Sequence, residues 1–196
     1  MSQAESIDAI LAATQGLDQD DFVARFPYPF LVRETTRPSG EWPAIVPGEG
    51  EEPGERRTAR VSTATAPAGD GFAREEVLVY RVCPADGARQ EGGVVIGRGR
   101  GCDVVVEDDS ISTRHAEFTL EVDEEEDEKV FLVADLGSSN GTFLDGKRLA
   151  PHTPRPIEDS MRLRLGPVVK LQFFTAPAFH LFLSFYRRIP PKRGGR

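Results

Sequence analysis

The chain has 196 residues, 39% of them hydrophobic and 29% charged, which suits one domain with extensions or at most two small domains. Its formal net charge of -8 argues against nonspecific nucleic-acid binding, because a phosphate backbone repels an acidic chain. Cys83 and Cys102 form neither a metal-ligand spacing nor a disulfide framework and fit a reducing cytosol, although one bridge between them is compatible with the sequence.

At the amino end, Ile7, Ile10 and Leu11 have helical spacing, and Asp18 is placed to cap a second short helix carrying Phe22, Val23 and Phe26. Pro27 and Pro29 force residues 26–32 into an extended path. From Glu34 to about Gly71 the composition turns to Pro, Gly, Glu, Thr and Ala without a period, the signature of a flexible linker. Strands follow at residues 77–82, 94–96 and 104–106. Phe118, Leu120 and Val122 then alternate with polar residues, and residues 130–133 supply the partner of a hairpin. The acidic run 123–128 between these two reads as a solvated loop. Further strands are expected at 142–144, ahead of an Asp145-Gly146 turn, at 161–165, and at 168–174 beyond a Gly166-Pro167 turn. Many short strands without intervening helices indicate a mainly β fold, a β-sandwich. Phe179, Phe182, Leu183 and Tyr186 then share a helical face, Pro190-Pro191 ends the helix, and a basic tail closes the chain.

No basic region leads into an apolar stretch at the amino terminus, so no secretory leader is expected, and residues 176–186 are too short an apolar run to span a bilayer. A cytoplasmic protein without membrane attachment is the expectation. Arginine far outnumbers lysine, and Ala, Gly and Pro abound, the coding bias of a GC-rich, bacterial genome.

Three short runs carry the chemistry: Gly97-Arg98, Ser112-Thr113-Arg114-His115 and Ser139-Asn140-Gly141-Thr142. Together they place an arginine, hydroxyls, an amide and turn glycines on loops. An arginine fork supplies charge and directional donors, hydroxyls add short hydrogen bonds, and Asn-Gly gives a turn with a polar side chain. None of these groups pairs a base with a nucleophile, so the set reads phosphate and does not move it. Two features imitate a protein kinase, the glycines at 97, 99 and 101 and the triplet Asp135-Leu136-Gly137. The first fails the G-x-G-x-x-G pattern at Cys102, and no catalytic-loop motif lies between them. No catalytic residue, metal or cofactor is expected.

With residues 95–98, 108–116 and 135–142 in this order, the chain resembles the forkhead-associated (FHA) domain family over about residues 74–175. The resemblance implies a β-sandwich of about eleven strands that binds phosphothreonine peptides through loops at one end. It implies that Arg98 binds the phosphate and the adjoining peptide backbone, and that Ser112 and Ser139 donate to phosphate oxygens. Asn140 would hold the main chain just after the phosphothreonine. Thr113 stands where the family often has asparagine or arginine, so its contact is expected to be weaker or differently directed. Gly97 and Gly141 would shape turns, and His115 would brace the binding loop from below. Ser110 occupies a position where some members carry an arginine that reads an acidic residue, and its neutral side chain removes that preference.

The domain organisation expected from all this is an N-terminal segment at 1–33, a linker at 34–73, the sandwich at 74–175 and a C-terminal helix with its tail at 176–196. The partners implied are a phosphothreonine-containing protein or peptide and a Ser/Thr protein kinase. Half of the twelve phenylalanines fall in the two terminal segments, which are therefore expected to dock on the sandwich, on each other or on a partner. The alternative function is a phosphate-independent interaction module that uses this aromatic surface. Thr58, Thr63 and Thr65, in and beside the basic stretch 56–60, raise the further expectation that a phosphorylated linker threonine occupies the domain's own pocket or that of a second copy.

Overall fold

A computed structural model describes residues 4–33, 45–46, 60–61, 77–85, 92–123 and 128–188. In chain order the elements are β1 (Glu5–Ser6), α1 (Ile7–Ala13), α2 (Gln19–Arg25), β2 (Phe30–Arg33), β3 (Ile45–Val46), β4 (Arg60–Val61), β5 (Leu78–Arg81) and β6 (Val94–Gly97). They continue with β7 (Val104–Val105), β8 (Ala116–Asp123), β9 (Glu128–Asp135), β10 (Thr142–Leu144), β11 (Lys147–Arg148), β12 (Arg155–Pro156), β13 (Arg162–Leu165), β14 (Val169–Phe174) and α3 (Ala176–Tyr186).

Two sheets form the expected β-sandwich. One runs in the order β1-β5-β2-β14-β13-β10-β11 and the other β12-β9-β8-β6-β7. Between them lie Leu31, Ile96, Val104, Val133, Leu163, Leu171 and Phe173. The alternation in β13 follows directly from this, since Leu163 and Leu165 enter the core while Arg162 and Arg164 face out. The Asp145-Gly146 turn joins β10 to β11 with both residues at positive φ, 45° and 80°, and the Leu144↔Lys147 pair closes the two-residue loop.

Strand β2 corrects the expected sandwich boundary at residue 74. Phe30–Arg33 lies inside the larger sheet, paired antiparallel with β5 through Leu31↔Tyr80 and with β14 through Leu31↔Phe173. Both of its faces are covered: Leu31 enters the sandwich core, while Phe30 and Val32 join a second core on the outer side. A strand buried on both faces has no alternation to reveal it, and its sheet partners lie far away in the chain.

The second core holds the terminal segments. Ser6 caps α1 by accepting from the Ala9 N–H at 3.3 Å, and Asp18 caps α2 by accepting from the Asp21 N–H at 2.8 Å. Ile7, Ile10, Phe22, Phe26, Phe179, Phe182 and Tyr186 pack with Phe30, Val32, Val79 and Phe174. Phe30 stacks on Phe179 with ring centroids 4.1 Å apart. The Arg187 guanidinium locks α3 to α1 by donating to the Thr14 carbonyl at 2.7 Å. The terminal segments thus dock on the sandwich and on each other.

The linker expectation for 34–73 falls mostly outside the described residues. Within it, β3 and β4 pair antiparallel through Ile45↔Val61. Thr58, Thr63, Thr65, the acidic loop residues 124–127 and the basic tail from 189 onward also fall outside them. Among the described residues no helix is long and apolar enough to cross a membrane.

Phe30 joins the sheet to the helical layer, so Phe30→Ala is expected to destabilise the fold by about 3–5 kcal/mol, the range for a buried phenylalanine cut to alanine. A urea-denaturation midpoint unchanged from wild type would contradict this packing role.

Candidate functional site

The three motif runs lie on connections at one end of the sandwich: β6 to β7, β7 to β8, and β9 to β10. The first two run side by side. The Arg98 N–H donates to the Ser112 carbonyl at 3.0 Å and the Gly99 N–H to the Thr113 carbonyl at 3.1 Å. Gly97 permits this approach, because a Cβ there would stand 2.3 Å from the Thr113 carbonyl oxygen. Buried Cys102 adds its thiol, which donates to the same oxygen at 3.0 Å. Burial pushes that thiol up, so it is a packed donor and not a reactive thiolate.

His115 ties the second run to the third. The ring is fully buried; Nδ1 accepts from the Ser112 N–H at 3.1 Å, and Nε2 lies 3.2 Å from the Gly141 carbonyl. An Nδ1 that accepts leaves the proton on Nε2, which therefore donates to Gly141. Burial pushes the imidazole below its ordinary value of 6.5, against the opposing pull of the Gly141 carbonyl and the Asp135 charge. The neutral ring is the form this geometry requires.

Asp135 shapes the third run. Its carboxylate accepts from the N–H groups of Gly137 at 2.9 Å and Ser138 at 3.0 Å, and from the hydroxyls of Ser138 at 2.5 Å and Thr142 at 2.6 Å. Burial raises its pKa, but these four donors outweigh burial and hold it below the ordinary carboxylate value. The loop then presents Ser139 and Asn140 to solvent, and Gly141 turns back at φ 80°. The kinase-like triplet Asp135-Leu136-Gly137 is therefore a loop brace.

The outward groups are set by these inward bonds. Ser112 Oγ accepts from the Ser139 N–H at 3.0 Å, which leaves its own O–H to donate outward. Asn140 Nδ2 donates to the Ser110 carbonyl at 2.9 Å, fixing the carboxamide with its oxygen free to accept. Arg98 is exposed, and among the described residues no carboxylate pairs with it. Thr113 contributes its carbonyl to the loop pairing, and its methyl lies against Gly99. Gly141 and Gly97 are both buried in the loop bases.

Asp108 is a site residue that the sequence reading did not single out. Its Oδ1 accepts from both the N–H and the hydroxyl of Ser110, at 3.0 and 2.6 Å, and Arg33 lies 3.5 Å from Oδ2. The Ser110 hydrogen bonds hold its pKa down despite partial burial. Ser110 in turn supplies the carbonyl that holds Asn140. The local signal was present: an aspartate two residues before a serine is an Asx-turn pattern, as is Asp135 before Gly137.

Residues 94–166 match the family model described as FHA domain. The oxoglutarate dehydrogenase inhibitor of Corynebacterium glutamicum is 32% identical over 124 residues, covering 60% of this chain and 80% of that protein. The FHA domain-containing protein FhaB of Mycobacterium tuberculosis is 38% identical over 73 residues, covering 37% of this chain and 43% of FhaB. Among solved structures, the yeast Dun1 FHA domain in complex with a doubly phosphorylated peptide derived from Rad53 is 21% identical with a TM-score of 0.46, covering 76% of this chain and 75% of that chain.

The His115 pKa lies below that of the unfolded chain, so its contribution to stability is complete above about pH 6.5 and is lost as pH falls from there toward the folded value. His115→Gln is expected to flatten the pH dependence of the denaturation midpoint below about pH 6.5. An unchanged slope in the variant would remove His115 as its source. The depressed Asp135 carboxylate contributes stability that is complete above its ordinary value of 3.8 and is lost as pH falls from there through the folded value. Asp135→Asn is expected to cost about 3 kcal/mol at neutral pH, since hydrogen bonds to a charged acceptor are replaced by bonds to an amide that also presents its own donors. Equal unfolding free energies in urea would contradict it.

Proposed function

The chain belongs to the FHA-domain family, and from that premise we propose that it is a non-catalytic adaptor that reads phosphothreonine peptides in a Ser/Thr kinase pathway. The observation that carries this reading is the set Arg98, Ser112, Ser139 and Asn140, displayed on loops cross-linked beneath by His115, the last of them braced by Asp135. Arg98 is the phosphate cation. Ser112 and Ser139 supply hydroxyl donors, and Asn140 holds the peptide main chain after the phosphothreonine. Thr113 stands at the rim of this set.

A phosphothreonine carries about -1.5 to -2 charge and three acceptor oxygens. Charge-assisted hydrogen bonds contribute roughly 1.5–3 kcal/mol each, so one arginine and two hydroxyls support micromolar affinity, about -8 kcal/mol. A methyl pocket would add roughly 1–3 kcal/mol of preference for threonine over serine. The relative in Corynebacterium glutamicum is named for inhibition of an enzyme, which fits a protein that acts by binding. Against the phosphate-independent alternative stands the fate of the aromatic extensions: Phe22, Phe30, Phe179 and Phe182 are buried against each other and the sheet, and so give no aromatic docking face. The cytoplasm is the compartment this reading implies.

Calorimetry with a phosphothreonine peptide tests the proposal. Arg98→Ala should weaken binding roughly ten- to a hundredfold, and the unphosphorylated peptide should not bind. A partner peptide bound equally by wild type and Arg98→Ala, without phosphate, would favour the alternative. Affinity should also fall as pH drops through about 6, where the phosphate dianion is lost. Equal affinity at about pH 5 and pH 7.5 would contradict recognition of the dianion.

A further inference from the structure

The outer face of the larger sheet is divided. Over β5, β2 and the far end of β14 it is roofed by the helical layer, whereas over β13, β10 and β11 it is bare. The division runs along β14: Phe174 faces the helices, Gln172 is buried with its amide donating to the Ser160 carbonyl at 3.1 Å, and Lys170 is exposed. The pairs Arg164↔Lys170, Phe143↔Arg164 and Phe143↔Arg148 then place Lys170, Arg164, Phe143 and Arg148 in one row across four strands. Directly opposed residues share a face, so these side chains line one strip.

Arg164 directly opposes Lys170, and Arg148 stands beyond Phe143 in the same row, three cations together in a chain of net charge -8. Among the described residues no carboxylate pairs with Arg148, Arg164 or Lys170. Phe143 organises the two arginines, with the Arg164 guanidinium 3.6 Å and the Arg148 guanidinium 6.0 Å from its ring centroid. Arg164 also donates to the Gly166 carbonyl at 2.5 Å. A planar guanidinium stacked on a ring loses less freedom when it meets an anion than a free side chain does.

The strip starts at the recognition loops. A Cβ on Gly141 would stand 2.7 Å from Arg148 Nε, so that side chain lies beside the residue following Asn140. A Cβ on Gly166 would stand 3.0 Å from the Ser110 carbonyl oxygen and 3.4 Å from Asn140 Cβ, so the other arginine's anchor abuts the same loop. Asn140 is the residue proposed to hold the peptide just after the phosphothreonine. The segment that follows therefore leaves the pocket next to the strip.

We propose that Arg148 and Arg164, ordered on Phe143, and Lys170 beside Arg164 form a docking strip for an acidic segment of the phosphorylated partner C-terminal to its phosphothreonine; this rests on the phosphothreonine reading above. Ser110 puts no cation at its own position beside Asn140, and in this proposal the sheet face carries the preference for an acidic flank. Charge complementarity at such a rim acts on encounter and selectivity and is screened by salt.

The test uses two phosphothreonine peptides, identical except that the residues after the phosphothreonine are acidic in one and neutral in the other. With wild type at low salt the acidic flank should tighten binding roughly tenfold, as expected for a few rim pairs, and the advantage should shrink as salt rises. The Arg148→Glu/Lys170→Glu double variant changes exposed side chains and keeps the Arg164–Phe143 stack, so its melting temperature should stay close to that of wild type. It should lose the acidic advantage while holding the neutral phosphopeptide as wild type does. Equal affinity of wild type for both peptides, or an equal loss for both in the variant, would overturn the strip. Failure of wild type to bind the neutral phosphopeptide would instead remove the phosphothreonine reading, and the strip with it.

Discussion

The imidazole of His115 accepts from the Ser112 N–H on one side and donates to the Gly141 carbonyl on the other, and these loops have no short covalent route to each other. Strands β8 and β9 separate them in sequence, yet the proposed function needs Arg98, Ser112 and Asn140 within reach of one phosphopeptide. The ring works as a brace only while it is neutral and carries its proton on Nε2, and its complete burial favours that form. Loss of this cross-link would let each loop keep its local turn while the set of outward donors lost its common geometry.

A second constraint concerns charge. The proposed function asks an acidic chain to present a positive site, and three carboxylates near it are engaged by hydrogen bonds instead. Asp135 accepts four hydrogen bonds from its own loop, Asp108 accepts two from Ser110, and buried Asp103 accepts from the Ala85 and Val95 N–H groups at 3.0 and 2.9 Å. Each of the three is engaged by these donors, Asp108 also by Arg33, and none of them pairs with Arg98. Backbone N–H groups and hydroxyls thus shape the loops and, in the same bonds, hold these three carboxylates away from the proposed phosphate position.

The terminal segments complete the picture on the opposite face of the larger sheet. Phe30 and Phe174 turn outward from neighbouring strands, and an exposed apolar patch of that kind would favour association. Helices α1, α2 and α3 cover it, and β1 extends the sheet beyond β5, where Glu5 pairs with Arg81 at 2.8 Å. The cover stops at β14, and the remainder of that face carries lysine and arginine. One sheet therefore has a structural half and a solvent-facing, cationic half, and the boundary is set by alternation along a single strand.

The sequence alone determined the features that local physics dictates: the β-rich middle, the Asp18 cap, the Asp145-Gly146 turn, and the residue types on three loops that suit phosphate. Such features depend on neighbours a few positions away. What only the tertiary structure decided depends on partners far along the chain. Strand β2, read as an extension, is an internal strand of the larger sheet because its pairing residues are at 79–81 and 171–174. Asp135, read as a false echo of a metal-binding triplet, is a loop brace because Thr142 and Ser138 return to it. The row from Arg148 to Lys170 exists only through strand register, which brings together cations that the sequence scatters among alternating residues.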